Sequence, residues 1–219
     1  NGEIIPTLEL KGKIPDALYK KYLSFKASKD WIPCGKQIQA INSFTLNHWL
    51  ERLLIERLER KTLPIIDSLR KNQNNWEETF YQHLGYGFGL KLNAQPFELL
   101  TKSLPMNVLA KHKDNLLHIE ALLFGQAGML EAPTLKGEKK QDDYFLQLQK
   151  EFQFLKQKFK LKPIDGHLWK FMRLHPPAFP TIRIAQFANL IYKSLHLFSK
   201  IIEATNIYTI RALLHAEAG

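Results

Sequence analysis

The chain has 219 residues, enough for one large domain or two small ones, with the ordinary globular balance of 45% hydrophobic and 24% charged residues. Its longest useful uncharged run, residues 184–192, is about half of the ~18 apolar residues that a membrane helix needs, so no membrane-spanning helix is expected. Lys plus Arg number 31 against 21 for Asp plus Glu, a net charge of +10, which suits a negatively charged partner such as DNA or RNA without requiring one.

Residues 1–11 read NGEIIPTLELK. Asn-Gly signals a turn, and Ile5, Thr7, Leu8 and Leu10 suit a short extended piece that Pro6 demotes to an edge or end strand. The piece has no obvious pairing partner. That, with Asn1 rather than Met in first place, points to a chain that begins inside a longer protein. Pro15 opens a helix with Leu18, Tyr19, Tyr22, Leu23 and Phe25 on its apolar face and Lys20, Lys21, Lys26 and Lys29 on its basic one. Residues 31–41 read as a loop holding Pro33, Gly35 and Cys34, the single cysteine. No intrachain disulfide is possible and no secretory leader is legible, so a reducing, cytoplasmic setting is expected. Cys34 has no neighbouring base and reads as a packing residue.

Residues 44–61, FTLNHWLERLLIERLERK, form the best-patterned stretch. Thr45 suits an N-cap, and Phe44 with Trp49 suits a hydrophobic staple. Leu46, Trp49, Leu50, Leu53, Leu54 and Leu58 make one apolar stripe, and Glu56 to Arg60 is an i,i+4 pair. The stripe predicts the central plank of the core. Arg57 breaks it, lying about 20° from Leu46 around the helix. It either snorkels to the rim or is a buried guanidinium holding a carboxylate or helix-end carbonyls.

Pro64 predicts a kink or break. Asn74 or Asn75 caps the next helix, with Glu78 placed for a capping box, Trp76, Phe80, Tyr81 and Leu84 inward, and Gly85, Gly87 and Gly89 ending it. The GYGFG run follows a helix and lacks dinucleotide-loop spacing, so it reads as a C-cap and turn. Short helices are expected over 96–104 and 105–111, and an apolar one over 116–130. Residues 133–141 are a flexible stretch and a candidate internal boundary. A long helix starts at Asp142 or Asp143 and runs to Phe159 on a Leu148, Phe152, Leu155 stripe. Thr181 caps another through Lys193, and two more fill 195–205 and 206–216. These elements predict a single helical domain over residues 1–219, an all-α, irregular multi-helix bundle with at most a short N-terminal strand.

Chemistry is sparse. The eight histidines are scattered, and His112 and His118 are too far apart for one helix face, so no metal or cofactor site is expected. The E-x-K letters of Glu9–Lys11 and Glu138–Lys140 occur twice and complete no metal site. The remaining signal is basic. Between residues 156 and 183, Lys156, Lys158, Lys160, Lys162, Lys170, Arg173 and Arg183 face Asp165 alone, interleaved with Trp169, Phe171 and Phe179. Arg183, Gln186, Asn189 and Lys193 then line the polar side of the following helix. Cations track phosphates, rings stack on bases and amides read base edges.

The run at 44–61, FGQAGMLE at 124–131 and RLHPPAFPTIRIAQFANL at 173–190, with IPTLEL at 5–10 and EFQFLKQKF at 151–159, resemble an uncharacterised bacterial family, domain-of-unknown-function family 2851. The resemblance implies members about twice this length, continuing past Gly219. It also implies an extra N-terminal part like a restriction-endonuclease core, its acids and lysine upstream of IPTLEL. On that footing this chain is the helical part of a nuclease-like protein, its missing N-terminal segment is a partner, and the chain alone is not catalytic. Two functional readings follow. One is an accessory domain contacting nucleic acid through its basic face. The other is a structural or protein-interaction module with no such role.

Overall fold

Apolar residues recurring three and four apart should give helices packed by their stripes. The computed structural model describes residues 7–10, 12–33, 35–130, 143–194 and 196–216, and among them are ten α-helices and no strand. The fold is all-α. Ile5, Pro6, Lys11, Cys34 and the 133–141 stretch lie outside the described residues. The chain divides into two compact units, Asn1–Thr62 and Leu63–Gly219.

The first unit holds α1 (Asp16–Ala27), a 3-10 turn at Gly35–Ala40 and most of α2 (Ser43–Lys71). Pro15 stands at the N-cap of α1. The start of α2 departs from the expected Thr45 cap, because the Asn42 side chain reaches the orphan amide of Phe44 at 2.8 Å. Arg52, not Arg60, pairs with Glu56, at 2.8 Å. Pro64 does not break α2. It forfeits one backbone bond, and the turns on either side continue the helix.

The larger correction concerns the stripe itself. Neither α1 nor α2 buries a side chain, and Trp49, Leu50, Leu54 and Leu58 are each at least half exposed. Periodicity fixes which face is apolar, not whether anything covers it. Arg57 is exposed too, so it is not a buried guanidinium.

The core lies in the second unit, whose centre is α6 (Leu116–Gln126). Asn115 caps it by accepting from Leu117 N at 3.0 Å. Its sequence LLHIEALLFGQ is apolar nearly all round, and a helix of that kind is stable only inside. Ile119, Leu122 and Leu123 are fully buried. Against it pack α7 (Asp143–Phe159) through Phe152 and Leu155, and α8 (Pro180–Lys193) through Ile184 and Phe187. A Cβ on Gly125 would collide with the Phe152 ring, so the absent side chain is what lets α7 approach. At the interface of α6 and α7 the buried Glu120 carboxylate accepts the Tyr144 hydroxyl.

The second packed pair is α3 (Trp76–Phe88) and α4 (Ala94–Ser103). Asn75 caps α3, accepting from Glu78 N at 3.0 Å. Glu78 does not close a capping box. Its carboxylate accepts Met106 N at 2.9 Å, holding the start of α5 (Met106–Ala110), and Gln82 Nε2 at 3.0 Å. The helix runs through Gly85 and Gly87 to cap at Gly89. Gly85 is required because Thr101 of α4 sits where its Cβ would be. Tyr81 is inward and donates to Leu104 O at 3.0 Å, whereas Trp76 is half exposed. The chain closes with α9 (Leu197–Glu203) and α10 (Ile207–Leu213), the latter capped by Asn206. α8 starts at Pro180 rather than after Thr181, with Phe179 at the cap. Proline suits that first position because the helix has no use for its N–H.

Candidate functional site

The basic segment is held largely by its backbone and by the buried Trp169, which leaves most of its cations outward. α7 ends where Lys160 turns left-handed at φ 53° and Leu161 N reaches back to Lys156 O at 2.9 Å. That is the Schellman closure, with lysine where glycine is usual. The chain then crosses the C-terminal end of α6. Ile164 N donates to Gln126 O at 2.9 Å, Trp169 Nε1 donates to Ala127 O at 2.8 Å, and Gln126 Nε2 donates to Lys162 O at 2.6 Å. Further on, the Asn93 side chain accepts Lys170 N and donates to Lys170 O, both at 2.9 Å. The strip thereby satisfies the carbonyls of Gln126 and Ala127 at the end of α6.

Six of the expected contact residues, Lys158, Lys160, Lys162, Lys170, Arg173 and Lys193, are exposed. The acid among them, Asp165, is engaged by His167 through its backbone N at 2.9 Å and its ring at 2.8 Å. Those hydrogen bonds hold its carboxyl below the usual carboxylate range. Lys156 is half-buried, its ammonium 5.9 Å from the Phe152 ring. Arg173 occupies a left-handed position, φ 62°.

The helix face expected over Arg183, Gln186 and Asn189 is not an open polar face. Asn189 is buried. Arg183 donates from Nε to Phe88 O at 3.1 Å and from Nη1 to Gln186 Oε1 at 2.8 Å, and its guanidinium lies 4.8 Å from the Phe88 ring centroid. These contacts join α8 to the end of α3. Trp169 is likewise a core residue, edge-on to Phe97 at 5.2 Å, and is not available to stack on a base. The rings beside the strip that do reach solvent are Phe154 and Phe171.

Some residues enter that sequence spacing missed. Lys111, at the end of α5, and Lys158 converge on the Phe159 ring, 5.6 and 5.1 Å from its centroid, extending the basic surface. His112 and His118 do meet, Nδ1 to Nδ1 at 3.1 Å, because the loop before α6 folds back on the helix. His118 Nε2 lies 3.4 Å from Glu151 Oε1 of α7. In an Nδ1–Nδ1 contact one ring must donate and the other accept, so the pair holds one charge at most without separating. Burial, then Lys158 and His118, push the His112 pKa down. No cluster of His, Cys, Asp or Glu among the described residues could hold a metal ion.

Two cavities flank α3. The larger, about 640 Å³, is lined by Asn72, Glu78, Gln82 and Phe198 among others. Its amides and carboxylate bond one another: Asn72 Nδ2 to Gln82 Oε1 at 3.1 Å, Gln82 Nε2 to Glu78 Oε1 at 3.0 Å. The smaller, about 530 Å³, opens beside Arg183.

No helix among the described residues is long and apolar enough to cross a membrane. No curated protein and no solved structure matches the chain. A family model described as "Protein of unknown function (DUF2851)" matches residues 1–219. The whole of this sequence falls within that match, and the chain belongs to the DUF2851 family.

Proposed function

We propose that the chain is the helical accessory part of a nuclease-like protein and holds nucleic acid on the strip from the end of α7 to Arg173, with Lys111 and Lys193 at its margins. The nuclease-like setting rests on the family resemblance of the sequence motifs. The observation that carries the binding reading is the strip itself: exposed cations on a backbone pinned to the core, with Asp165 already engaged. Phosphate contacts dominate such binding and need no base-specific geometry.

The test is an anisotropy titration of the chain with duplex and single-stranded oligonucleotides across salt. Binding at low salt that weakens steeply as salt rises is expected. Replacing Lys158, Lys160 and Lys162 together by Gln should flatten the salt slope, by about one for each phosphate contact removed. No binding to either form at low salt would overturn the reading. The rival is a structural or protein-interaction module, and the exposed apolar stripe of α2 favours it. On that reading the lysine variants change nothing but solubility.

A further inference from the structure

The smaller cavity is built differently from the strip. It is lined by His83, Gly87 and Phe88 of α3, Arg183 of α8, Arg211 of α10 and His215 beyond it, with apolar residues between. Among its lining residues, as far as they are described, none is acidic. Arg183 is half-buried there, held by the Phe88 carbonyl, Gln186 and the Phe88 ring, and no ion pair with a carboxylate is seen among the described residues. Burial alone pushes its pKa down. His83 Nε2 is buried without a hydrogen-bond partner. The nearest charged groups acting on His83, Glu98 and Lys102, neutralise each other at 2.5 Å.

A half-buried cation that meets no carboxylate among the described residues is costly unless something supplies the negative charge. A guanidinium fixed by two hydrogen bonds and a ring is pre-organised, and its remaining N–H groups form a planar fork matched to an oxyanion. We propose that this cavity is a binding site for a phosphate monoester, with Arg183 as the fixed fork, Arg211 as the second cation and the His83 ring in the cavity wall. This goes beyond the strip, which binds by charge density on an open surface. The cavity, about 530 Å³ and open to solvent, has room for a phosphoryl group and for the moiety that carries it. That phosphate can be on a free small molecule or at the end of a nucleic-acid strand.

The experiment follows the histidine ring NMR signals of the full chain during titration with inorganic phosphate and with a nucleoside 5′-monophosphate, against chloride at equal ionic strength. Saturable shifts of His83 are expected with both phosphates and not with chloride. Arg211 is exposed, so Arg211→Ala should stay folded and weaken binding about tenfold, the loss of one charge-assisted contact. Arg183→Lys, which keeps the charge and loses the fork, should weaken it further. Competition by a 5′-phosphorylated but not a 5′-hydroxyl oligonucleotide would assign the site to strand ends, and its failure would assign it to free esters. The Lys158/Lys160/Lys162 variant should keep the monophosphate site, which separates this inference from the strip reading. Absence of saturable shifts with either phosphate, or shifts unchanged in Arg211→Ala, would overturn it.

Discussion

At the scale of single residues, two features can be read directly as stability. The first is His112. Its pKa is pushed below the ordinary 6.5 in the fold, so between the two values the unfolded chain binds more protons than the folded one. Stability should therefore be level above about pH 6.5 and fall as the pH drops below it. His83, lowered by its own burial, acts in the same direction. His112→Gln should shallow the acid side of a plot of urea midpoint against pH. An unchanged profile would remove His112 from the account. The second feature is the left-handed pair, Lys160 and Arg173. Lys160→Gly should raise stability by about 0.5–1 kcal/mol by relieving the backbone, yet weaken oligonucleotide binding. Stability and binding moving in opposite directions would mark the lysine as kept for its charge.

At the scale of elements, the sequence showed helices more faithfully than it showed their roles. The 3.6-residue pattern placed α4, α5, α7 and α8 within a few residues, since periodicity and flanking caps are local signals. It misassigned the centre. α2 has a two-sided pattern and buries nothing, whereas α6 has little sidedness and is the hub. A strongly amphipathic helix belongs at a boundary, and one apolar all round belongs inside. The strip's lysines were legible as a run of like charge. The withdrawal of Arg183 from the surface was not, because it depends on Phe88, which lies 95 residues away in sequence. The meeting of His112 with His118 was hidden for a related reason: a loop brings them together, not a helix turn. The α6–α7 contact gives its own prediction. Gly125→Ala forces a methyl into the Phe152 ring and should destabilise by about 1–3 kcal/mol, seen as a lower urea midpoint.

At the scale of the whole molecule, every buried hydrophobic side chain among the described residues falls between Tyr81 and Ile191. A fragment spanning Leu63–Gly219 carries all of them. It should unfold cooperatively, with a midpoint within a few degrees of the full chain, since burial rather than helix propensity supplies most of the stabilisation. Calorimetry of the fragment beside the full chain checks this. A broad, uncooperative melt would show that residues 1–62 contribute to the core.

Asn93 acts on the strip from beneath, through its backbone. Its two bonds to the Lys170 backbone fasten the far end of the strip, as Gln126 fastens the near end. A ledge already immobile surrenders little freedom when a strand settles on it, so part of its affinity is stored beforehand in an amide beneath the surface. Asn93→Ala should then loosen oligonucleotide binding while leaving every cation, and the dependence of that binding on salt, as they were.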